Sequence, residues 1–365
     1  MKKLILPVIL LFSLLQMGYA AESDSLESQI GQMLLIGFRG TNVEPDSYIS
    51  QVIEDLNPGG VILFDFDVPS HQFPRNILDP GQVKKLTSDL KLLSPSLMIA
   101  IDAEGGRVNR LKPQYGFLNI PSHHELGELN DPDSTFRYAS LLARQLRDLG
   151  IDINLAPVID LDINPANPII GKLGRSFSGD EQVVFTHTEA FIRAHHANGV
   201  LTAIKHFPGH GSASGDTHLG LTDVTKTYQE RELIPYQLLI RENLADMIMT
   251  SHIVNKNIDP DDPVTLSDHY IREILRDQLG YEGVVISDDL QMGAITDHYS
   301  FEESILKSLR AGCDMIILSN NGRVYDETIP YQAVEIIVKA LRNGTLEREP
   351  ILRSLGRIRQ LKARL

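Results

Sequence analysis

The residues whose types and spacing best suit a chemical reaction lie in one short segment. Three histidines, a lysine and an aspartate occur between Lys205 and His218, in the string K-H-F-P-G-H-G followed shortly by D-T-H. The proline and glycines exclude a regular helix there, and the apolar run Val200–Ile204 before them is typical of a strand. We expect this strand to deliver Lys205 and His206 to a loop that carries the D-T-H pair, which is how many enzymes present reactive side chains.

Two kinds of site fit this segment. All three histidines and Asp216 are types of metal ligand, but Phe-Pro-Gly between His206 and His210 removes the helical geometry in which such a pair binds zinc. Alternatively, a turn could place Asp216 on the His218 imidazole, fix its tautomer and support proton transfer near neutral pH. A structural turn with an exposed histidine explains the same pair. We predict acid/base chemistry without a metal or another cofactor, and a loop-shaping role for His210.

Acidic residues also follow another apolar run. Asp288 and Asp289 come directly after Val284-Val285-Ile286-Ser287, and carboxylates at the end of a buried strand are costly unless they are used or paired. One of them could act as a nucleophile or a general base. Asp289 could instead cap a following helix, and the alternation of side chains along a strand places the two on opposite faces.

The segment Ile101–Arg110 combines two acids, two glycines and two arginines after a third apolar run. Arginine and carboxylate side chains suit the binding of polyhydroxylated or acidic ligands. A structural ion-pair network is the alternative interpretation of the same residues.

The elements that must position these residues form a repeating pattern. Short apolar runs alternate with amphipathic stretches along the chain, and several runs are apolar at consecutive positions, which is typical of strands buried on both faces of a parallel sheet. Eight such repeats predict a (β/α)8 barrel of the TIM type, in which active sites lie at the carboxyl ends of the strands. A doubly wound open sheet is the alternative, but no glycine-rich phosphate-binding turn follows the first strand.

The N-terminus and the composition limit the class of protein. Residues 1–20 combine Lys2 and Lys3, a short apolar run and Gly18-Tyr19-Ala20, which predicts a signal peptide and a periplasmic or secreted protein; an uncleaved anchor is the alternative. The remaining residues, 21–365, are expected to form a single catalytic domain with C-terminal helices and no membrane span, present as a monomer. A net charge of −14 argues against nucleic-acid binding. The single cysteine, Cys313, is predicted to lie in the core.

Four of these segments resemble family 3 glycoside hydrolases in order and spacing. They are Ile101–Arg110, Gly174–Phe177, Lys205–His218 and Ser287–Leu290. The string K-H-F-P-G-H-G-x4-D-x-H is the most specific, and it is similar to that of the bacterial β-N-acetylglucosaminidases of the peptidoglycan-recycling type. The resemblance covers roughly residues 28–320.

The resemblance implies a role for each matching residue. Asp288 would be the nucleophile of a retaining mechanism, and His218 the general acid/base oriented by Asp216. The residues implied to bind the sugar are Asp102, Arg110, Arg175, Lys205, His206 and His252. The implied reaction is hydrolysis of a terminal β-linked N-acetylglucosamine from short saccharides such as peptidoglycan fragments. The signal peptide departs from the cytoplasmic recycling enzymes, and this leaves the physiological substrate open.

Several alternatives remain at the level of sequence. The acetamido group of the substrate could be the nucleophile, with Asp288 polarising it. Phosphate could replace water as the acceptor, or the enzyme could cleave β-glucosides or chitooligosaccharides. A sugar-binding protein without activity is a candidate from a different class. The absence of tryptophan and an aromatic content of 6% favour short substrates cleaved from the non-reducing end, since long sugar platforms stack on aromatic rings.

Overall fold

The computed structural model describes residues 25–365, so the predicted signal peptide lies outside the described residues. Its centre is a closed barrel of eight parallel strands. They are β1 (Leu34–Gly37), β2 (Gly60–Leu63), β3 (Met98–Ile101), β4 (Ile153–Asn154), β5 (Leu201–Phe207), β6 (Met247–Thr250), β7 (Val284–Asp289) and β8 (Met315–Leu318). The barrel closes because β1 pairs in parallel with both β2 and β8.

Helices surround the barrel and connect consecutive strands. They are α1 (Leu26–Gly31), α2 (Tyr48–Leu56), α3 (Pro80–Leu93), α4 (His123–Leu129), α5 (Pro132–Asp148), α6 (Glu181–His196), α7 (Ile234–Arg241), the π-type α8 (His269–Gln278), α9 (Gly293–Thr296), α10 (Phe301–Ala311), α11 (Ile329–Arg342) and α12 (Arg348–Lys362). The predicted (β/α)8 barrel is confirmed, and the doubly wound alternative is excluded. None of the helices described between residues 25 and 365 is long and apolar enough to cross a bilayer.

The strands form where consecutive apolar residues can be covered on both sides. Every residue of β1, β2, β3, β6 and β8 is buried, as are the apolar faces of the surrounding helices. Cys313 lies in this core as predicted, and burial raises the pKa of its thiol.

Two strands extend further than their apolar runs predict, and both extensions contain ionisable side chains. Strand β5 continues through Lys205 and His206 to Phe207, which pairs with Thr250 of β6 after a register shift. Strand β7 continues through Asp288 to Asp289. The sequence pattern predicted that the two strands end at Ile204 and Ser287, because it carries no information on the partners that allow a charged side chain to be buried in a sheet.

Candidate active site

A pocket of about 320 Å³ opens at the carboxyl ends of the barrel strands. It brings together most of the side chains that the sequence predicts for the site, and adds His210. The predicted residues that line it are Asp102, Arg110, Arg175, Lys205, His206, His218 and Asp288. Asp216 contacts the pocket only through His218, and His252 lies behind its wall.

One side of the pocket rests on a row of side chains with alternating charge, which we call the charge ladder. It runs in the order Lys112, Asp65, Arg110, Asp102, Lys205, Glu104 and Arg175. Each neighbouring pair forms an ion pair, and Lys205 lies between two carboxylates, with its Nζ 2.7 Å from Asp102 Oδ1 and 2.8 Å from Glu104 Oε1. The ladder joins the ends of β2, β3 and β5 to the loop that carries Arg175.

Burial makes the ladder electrostatically strong. Glu104 accepts two hydrogen bonds from Arg175, from Nε and Nη2, both at 2.8 Å. Although burial alone would raise the pKa of Glu104, Arg175 and Lys205 hold it below its ordinary value. In the same way, burial disfavours the Lys205 ammonium, but Asp102 and Glu104 raise its pKa above the ordinary value. The buried part of the ladder, which consists of Asp102, Lys205, Glu104 and Arg175, is therefore charged at neutral pH.

We predict that Glu104→Gln destabilises the fold by about 3–5 kcal/mol, because it leaves Arg175 and Lys205 buried with too little negative charge. Urea unfolding monitored by circular dichroism measures this loss. Glu302→Gln, the same change at an exposed position in the first turn of α10, is the matched control. Equal unfolding midpoints for the two variants would contradict the prediction.

His206 is held by two partners that fix its tautomer. Its Nδ1 donates to Asp160 Oδ2 at 2.7 Å, and its Nε2 lies 3.3 Å from Nη2 of Arg175. Since arginine carries only donors, Nε2 of His206 accepts and Nδ1 holds the proton. Asp160 is buried, yet His206 and His210 hold the pKa of its carboxyl below its usual value. The sequence motifs did not identify Asp160 as the partner of His206.

His210 lines the pocket, and its backbone also holds the loop. Its backbone N–H donates to Asp160 Oδ1 at 2.8 Å, while both ring nitrogens are buried without a hydrogen-bond partner among the described residues. Two glycines make this path of the chain feasible. Gly209 has a φ of +130°, and a Cβ at Gly211 would lie 1.7 Å from the carbonyl oxygen of Leu161.

Asp288 and Asp289 both line the pocket, although simple alternation predicts opposite faces. The register of β7 against β8 shifts between Ile286 and Asp289, and this irregularity breaks the alternation. Burial would raise the pKa of Asp288, but His252, His206 and His218 hold it below its ordinary value. Asp288 is thus an ionised carboxylate, and its Oδ1 accepts from the Asp289 backbone N–H at 2.8 Å.

The Asp289 carboxylate accepts hydrogen bonds that hold two strand ends together, and it does not cap a helix. It accepts hydrogen bonds from the Ser319 backbone and hydroxyl and from the Gln291 N–H, so it ties the end of β7 to the end of β8. The alternative of a helix cap does not hold, because Met292 occupies the position that precedes α9. Burial raises the pKa of Asp289 to about 6, opposite in direction to the shift at Asp288.

His218 and Asp216 form the predicted pair on the loop after β5. Nδ1 of His218 lies 2.7 Å from Asp216 Oδ1, which also accepts the His218 backbone N–H at 2.9 Å. The His218 side chain is 61% exposed, whereas the Lys205 side chain on the strand is 3% exposed. The His218–Asp216 pair is therefore on an open loop, and Lys205 of the charge ladder is buried in the barrel mouth.

The structure corrects the predicted position of His252. The side chain is fully buried and does not line the pocket. Its Nε2 donates to the Asp289 carbonyl at 2.9 Å, and its Nδ1 lies 2.9 Å from Thr265 Oγ1. Because the Asp289 N–H in turn bonds Asp288, His252 supports the position of Asp288 from behind instead of contacting a ligand.

The histidines of the opening segment have separate environments. His206 bonds Asp160, His218 bonds Asp216, and the rings of His206 and His210 lie 6.0 Å apart at 67°. Within residues 25–365, no group of three or more His, Cys, Asp or Glu side chains is arranged to hold a metal ion.

The pocket of this (β/α)8 barrel holds an ionised aspartate and a His–Asp pair, which are the nucleophile and the proton donor that glycoside hydrolysis requires. The family comparison agrees. Residues 25–361 match the model described as the glycosyl hydrolase family 3 N-terminal domain, so the chain belongs to glycoside hydrolase family 3. The resemblance drawn from the sequence motifs is confirmed.

Known relatives are similar over most of the chain. A β-hexosaminidase of Xylella fastidiosa is 36% identical over 304 residues, which cover 80% of this chain and 85% of that protein. The family 3 β-N-acetylglucosaminidase of Paenibacillus sp. FPU-7 has a TM-score of 0.84 at 33% identity and covers 93% of this chain, which spans 62% of that enzyme's length. The β-N-acetylhexosaminidase of Beutenbergia cavernae has a TM-score of 0.79 at 28% identity, over 93% of this chain and 98% of its own.

Proposed function

We propose that the protein is a retaining exo-β-N-acetylglucosaminidase that removes terminal, non-reducing β-linked N-acetylglucosamine from short saccharides such as peptidoglycan fragments. The relatives named β-hexosaminidase and the solved family 3 β-N-acetylglucosaminidases support this substrate class. The observation that carries the proposal is that Asp288 and His218 line one pocket and His218 is bonded to Asp216.

The proposed reaction has two steps, and Asp288 and His218 act in both. Asp288 attacks the anomeric carbon, a bond forms from its carboxylate to C1, and the bond from C1 to the leaving oxygen breaks. His218 gives a proton to that oxygen, from Nε2, since Nδ1 is bonded to Asp216. In the second step His218 takes a proton from water, and the resulting hydroxyl displaces Asp288 from C1. Asp216 stabilises the imidazolium in its charged form.

The charge ladder and His206 hold the sugar in this scheme. Asp102, Arg110 and Lys205 present charged donors and acceptors to the pocket, and Arg175 and His206 lie beside them. Charge-assisted hydrogen bonds to hydroxyl groups are directional and stronger than neutral ones. They fix the ring so that C1 faces Asp288.

Asp216→Asn is expected to lower kcat about 10²- to 10⁴-fold while KM changes little, because the amide cannot stabilise the imidazolium or hold the required tautomer. Steady-state hydrolysis of an aryl β-N-acetylglucosaminide measures the effect. The control is Asp223→Asn, which changes an exposed carboxylate in the connection between β5 and α7. A kcat equal to that of the control would remove Asp216 from the mechanism.

A panel of substrates tests the proposed function directly. Residues 21–365 are incubated with aryl β-N-acetylglucosaminide, aryl β-glucoside, a chitooligosaccharide and a muropeptide disaccharide, with and without phosphate and after dialysis against EDTA. We expect the N-acetylglucosaminides to be cleaved fastest, at rates that neither phosphate nor EDTA changes. Preference for the glucoside, or dependence of the rate on phosphate, would contradict the proposal.

We further propose that residues 1–20 direct export and are removed, since they combine two lysines, an apolar run and small residues before Ala21. Expression of the full chain in a bacterium, followed by fractionation and N-terminal sequencing, tests this. The mature protein should begin at Ala21 in the periplasmic or culture fraction. Full-length protein in the membrane fraction would indicate an uncleaved anchor instead.

A further inference from the structure

The hydrogen bonds behind Asp288 continue beyond His252 into the barrel wall. His252, Thr250 and Thr265 are all fully buried, so their polar atoms must find partners within the protein. Thr265 Oγ1 lies 2.9 Å from Nδ1 of His252 and 2.8 Å from Oγ1 of Thr250. The three side chains therefore form one buried network, and the proposed mechanism assigns no task to its two threonines.

The direction of the hydrogen bonds in this network follows from the acceptors at its two ends. Nε2 of His252 faces the Asp289 carbonyl at 2.9 Å, and a carbonyl only accepts, so Nε2 carries a proton. Burial lowers the pKa of His252, so the ring is neutral at neutral pH and its Nδ1 is an acceptor. The Thr265 hydroxyl must then donate to Nδ1.

The other contacts of Thr265 agree with this direction. Its hydroxyl also lies 2.8 Å from the Ser251 carbonyl, but that carbonyl already accepts the Thr265 backbone N–H at 3.1 Å. The Thr250 hydroxyl can donate to Thr265 Oγ1. One direction, from Thr250 through Thr265 to His252, thus pairs both ring nitrogens and the Thr265 hydroxyl at once.

The network reaches the nucleophile through the backbone of Asp289. His252 holds the Asp289 carbonyl, and the Asp289 N–H donates to Asp288 Oδ1 at 2.8 Å. Because the register of β7 against β8 shifts between Ile286 and Asp289, the strand ladder is interrupted beside Asp288, and contacts outside the ladder must fix its position. A misplacement of about 1 Å at a reacting group can lower a rate roughly 10²-fold.

We propose that Thr265 is a positioning residue for the nucleophile, and that its hydroxyl acts by holding the His252 ring against the Asp289 carbonyl. Thr265 lies on the 3₁₀ turn Val264–Leu266, in the connection between β6 and α8, and does not line the pocket. The inference rests on the proposed function, in which Asp288 attacks C1. It extends the support of that carboxylate to a hydroxyl outside the catalytic motifs.

Two substitutions separate the hydroxyl from the rest of the side chain. Thr265→Val keeps the shape and removes the hydroxyl, whereas Thr265→Ser keeps the hydroxyl and removes a methyl group. We expect Thr265→Val to lower kcat for an aryl β-N-acetylglucosaminide about 10- to 100-fold, while the inhibition constant of free N-acetylglucosamine changes less than about twofold. Thr265→Ser should keep kcat within about threefold of the wild type.

The matched control is Thr87→Val. Thr87 is a buried threonine of α3 whose hydroxyl donates to the Leu149 carbonyl at 2.6 Å, and it does not line the pocket. This variant also loses a buried hydroxyl, and its kcat should equal that of the wild type.

Nitrogen-15 NMR adds a measurement that does not depend on turnover. The Nδ1 signal of His252 is assigned by its loss in His252→Gln. In Thr265→Val it should shift towards the position of an unbonded imidazole nitrogen, and in Thr265→Ser it should stay at the wild-type position. An unshifted signal in Thr265→Val would contradict the assigned hydrogen bond.

A role in packing alone predicts the opposite order of the two variants, since Thr265→Ser leaves a cavity and Thr265→Val does not. Equal kcat values for these variants, or a kcat of Thr265→Val equal to that of Thr87→Val, would overturn the inference. If the wild type prefers an aryl β-glucoside, the proposed function fails, and the same comparison on the glucoside still decides the role of Thr265. A wild type that hydrolyses neither substrate would contradict both.

Discussion

Asp288→Asn is expected to lower kcat for an aryl β-N-acetylglucosaminide by roughly 10⁴-fold or more, as is usual when a covalent nucleophile is removed. The change keeps the shape of the side chain and the hydrogen bond from the Asp289 N–H to Oδ1. Substrate binding should survive, because the charge ladder and His206 are untouched. Steady-state kinetics and an inhibition constant for N-acetylglucosamine measure the two effects separately.

The control is Asp133→Asn, which changes an exposed carboxylate in the first turn of α5. Rapid quenching of the wild-type reaction adds a direct test, since a glycosyl-enzyme increases the mass of the peptide that contains Asp288. Unchanged turnover of Asp288→Asn would indicate a different nucleophile, whereas a wild-type protein without turnover would be a binding protein. An unmodified peptide during turnover would indicate that the acetamido group of the substrate attacks instead.

Acid is expected to destabilise the fold well above the pH at which carboxylates titrate. Burial lowers the pKa of His123, His195 and His210 to about 4, whereas an unfolded histidine titrates near 6.5. The unfolded chain therefore binds more protons below pH 6.5, and the free energy of unfolding falls as the pH decreases from 6.5 towards 4. At pH 5 each of these histidines costs about 2 kcal/mol by this linkage.

Urea unfolding at pH 7.5 and pH 5.0 measures this loss, and His195→Gln isolates one contribution. In the wild type, Nδ1 of His195 donates to the Phe191 carbonyl and Nε2 accepts from Asn154, which suits the neutral ring. The variant should lose about 2 kcal/mol less than the wild type between the two pH values, whatever its stability at pH 7.5. His298→Gln, at an exposed position, should behave as the wild type, and an equal loss in all three proteins would contradict the prediction.

The fold could be predicted from local signals because the elements carry them in their own sequences. Helix α3 begins with Asp79, whose side chain accepts from the Gln82 N–H, and has proline at its first position. Helix α10 begins with a Ser300–Glu303 capping box and ends before Gly312, which has a positive φ. The strands were predicted less well at their polar ends, where long-range partners determine whether pairing continues.

The same limit applies to the site. The Asp216–His218 pair was predictable because the two residues lie on one turn. Glu104 bonds Arg175, which is 71 residues away, and Asp160 bonds His206, which is 46 residues away. No spacing rule connects such residues in a single sequence. The sequence also could not predict that the ring nitrogens of His210 lack a hydrogen-bond partner, because the absence of a partner among the described residues is a property of the folded pocket.

The alternation of charge in the ladder also selects ligands by their own charge. Each of its cations already has a carboxylate beside it, as Lys205 has both Asp102 and Glu104. An uncharged sugar can replace water as the hydrogen-bond partner of these groups without adding charge to the ladder. A sugar acid or a sugar phosphate at that position would have to displace a carboxylate from its cation, at a cost of several kcal/mol in a buried site. On the proposed function, we therefore expect the barrel mouth to discriminate against anionic sugars at the subsite for the terminal residue, and the open side near His218 to leave the charge of the leaving group unrestricted.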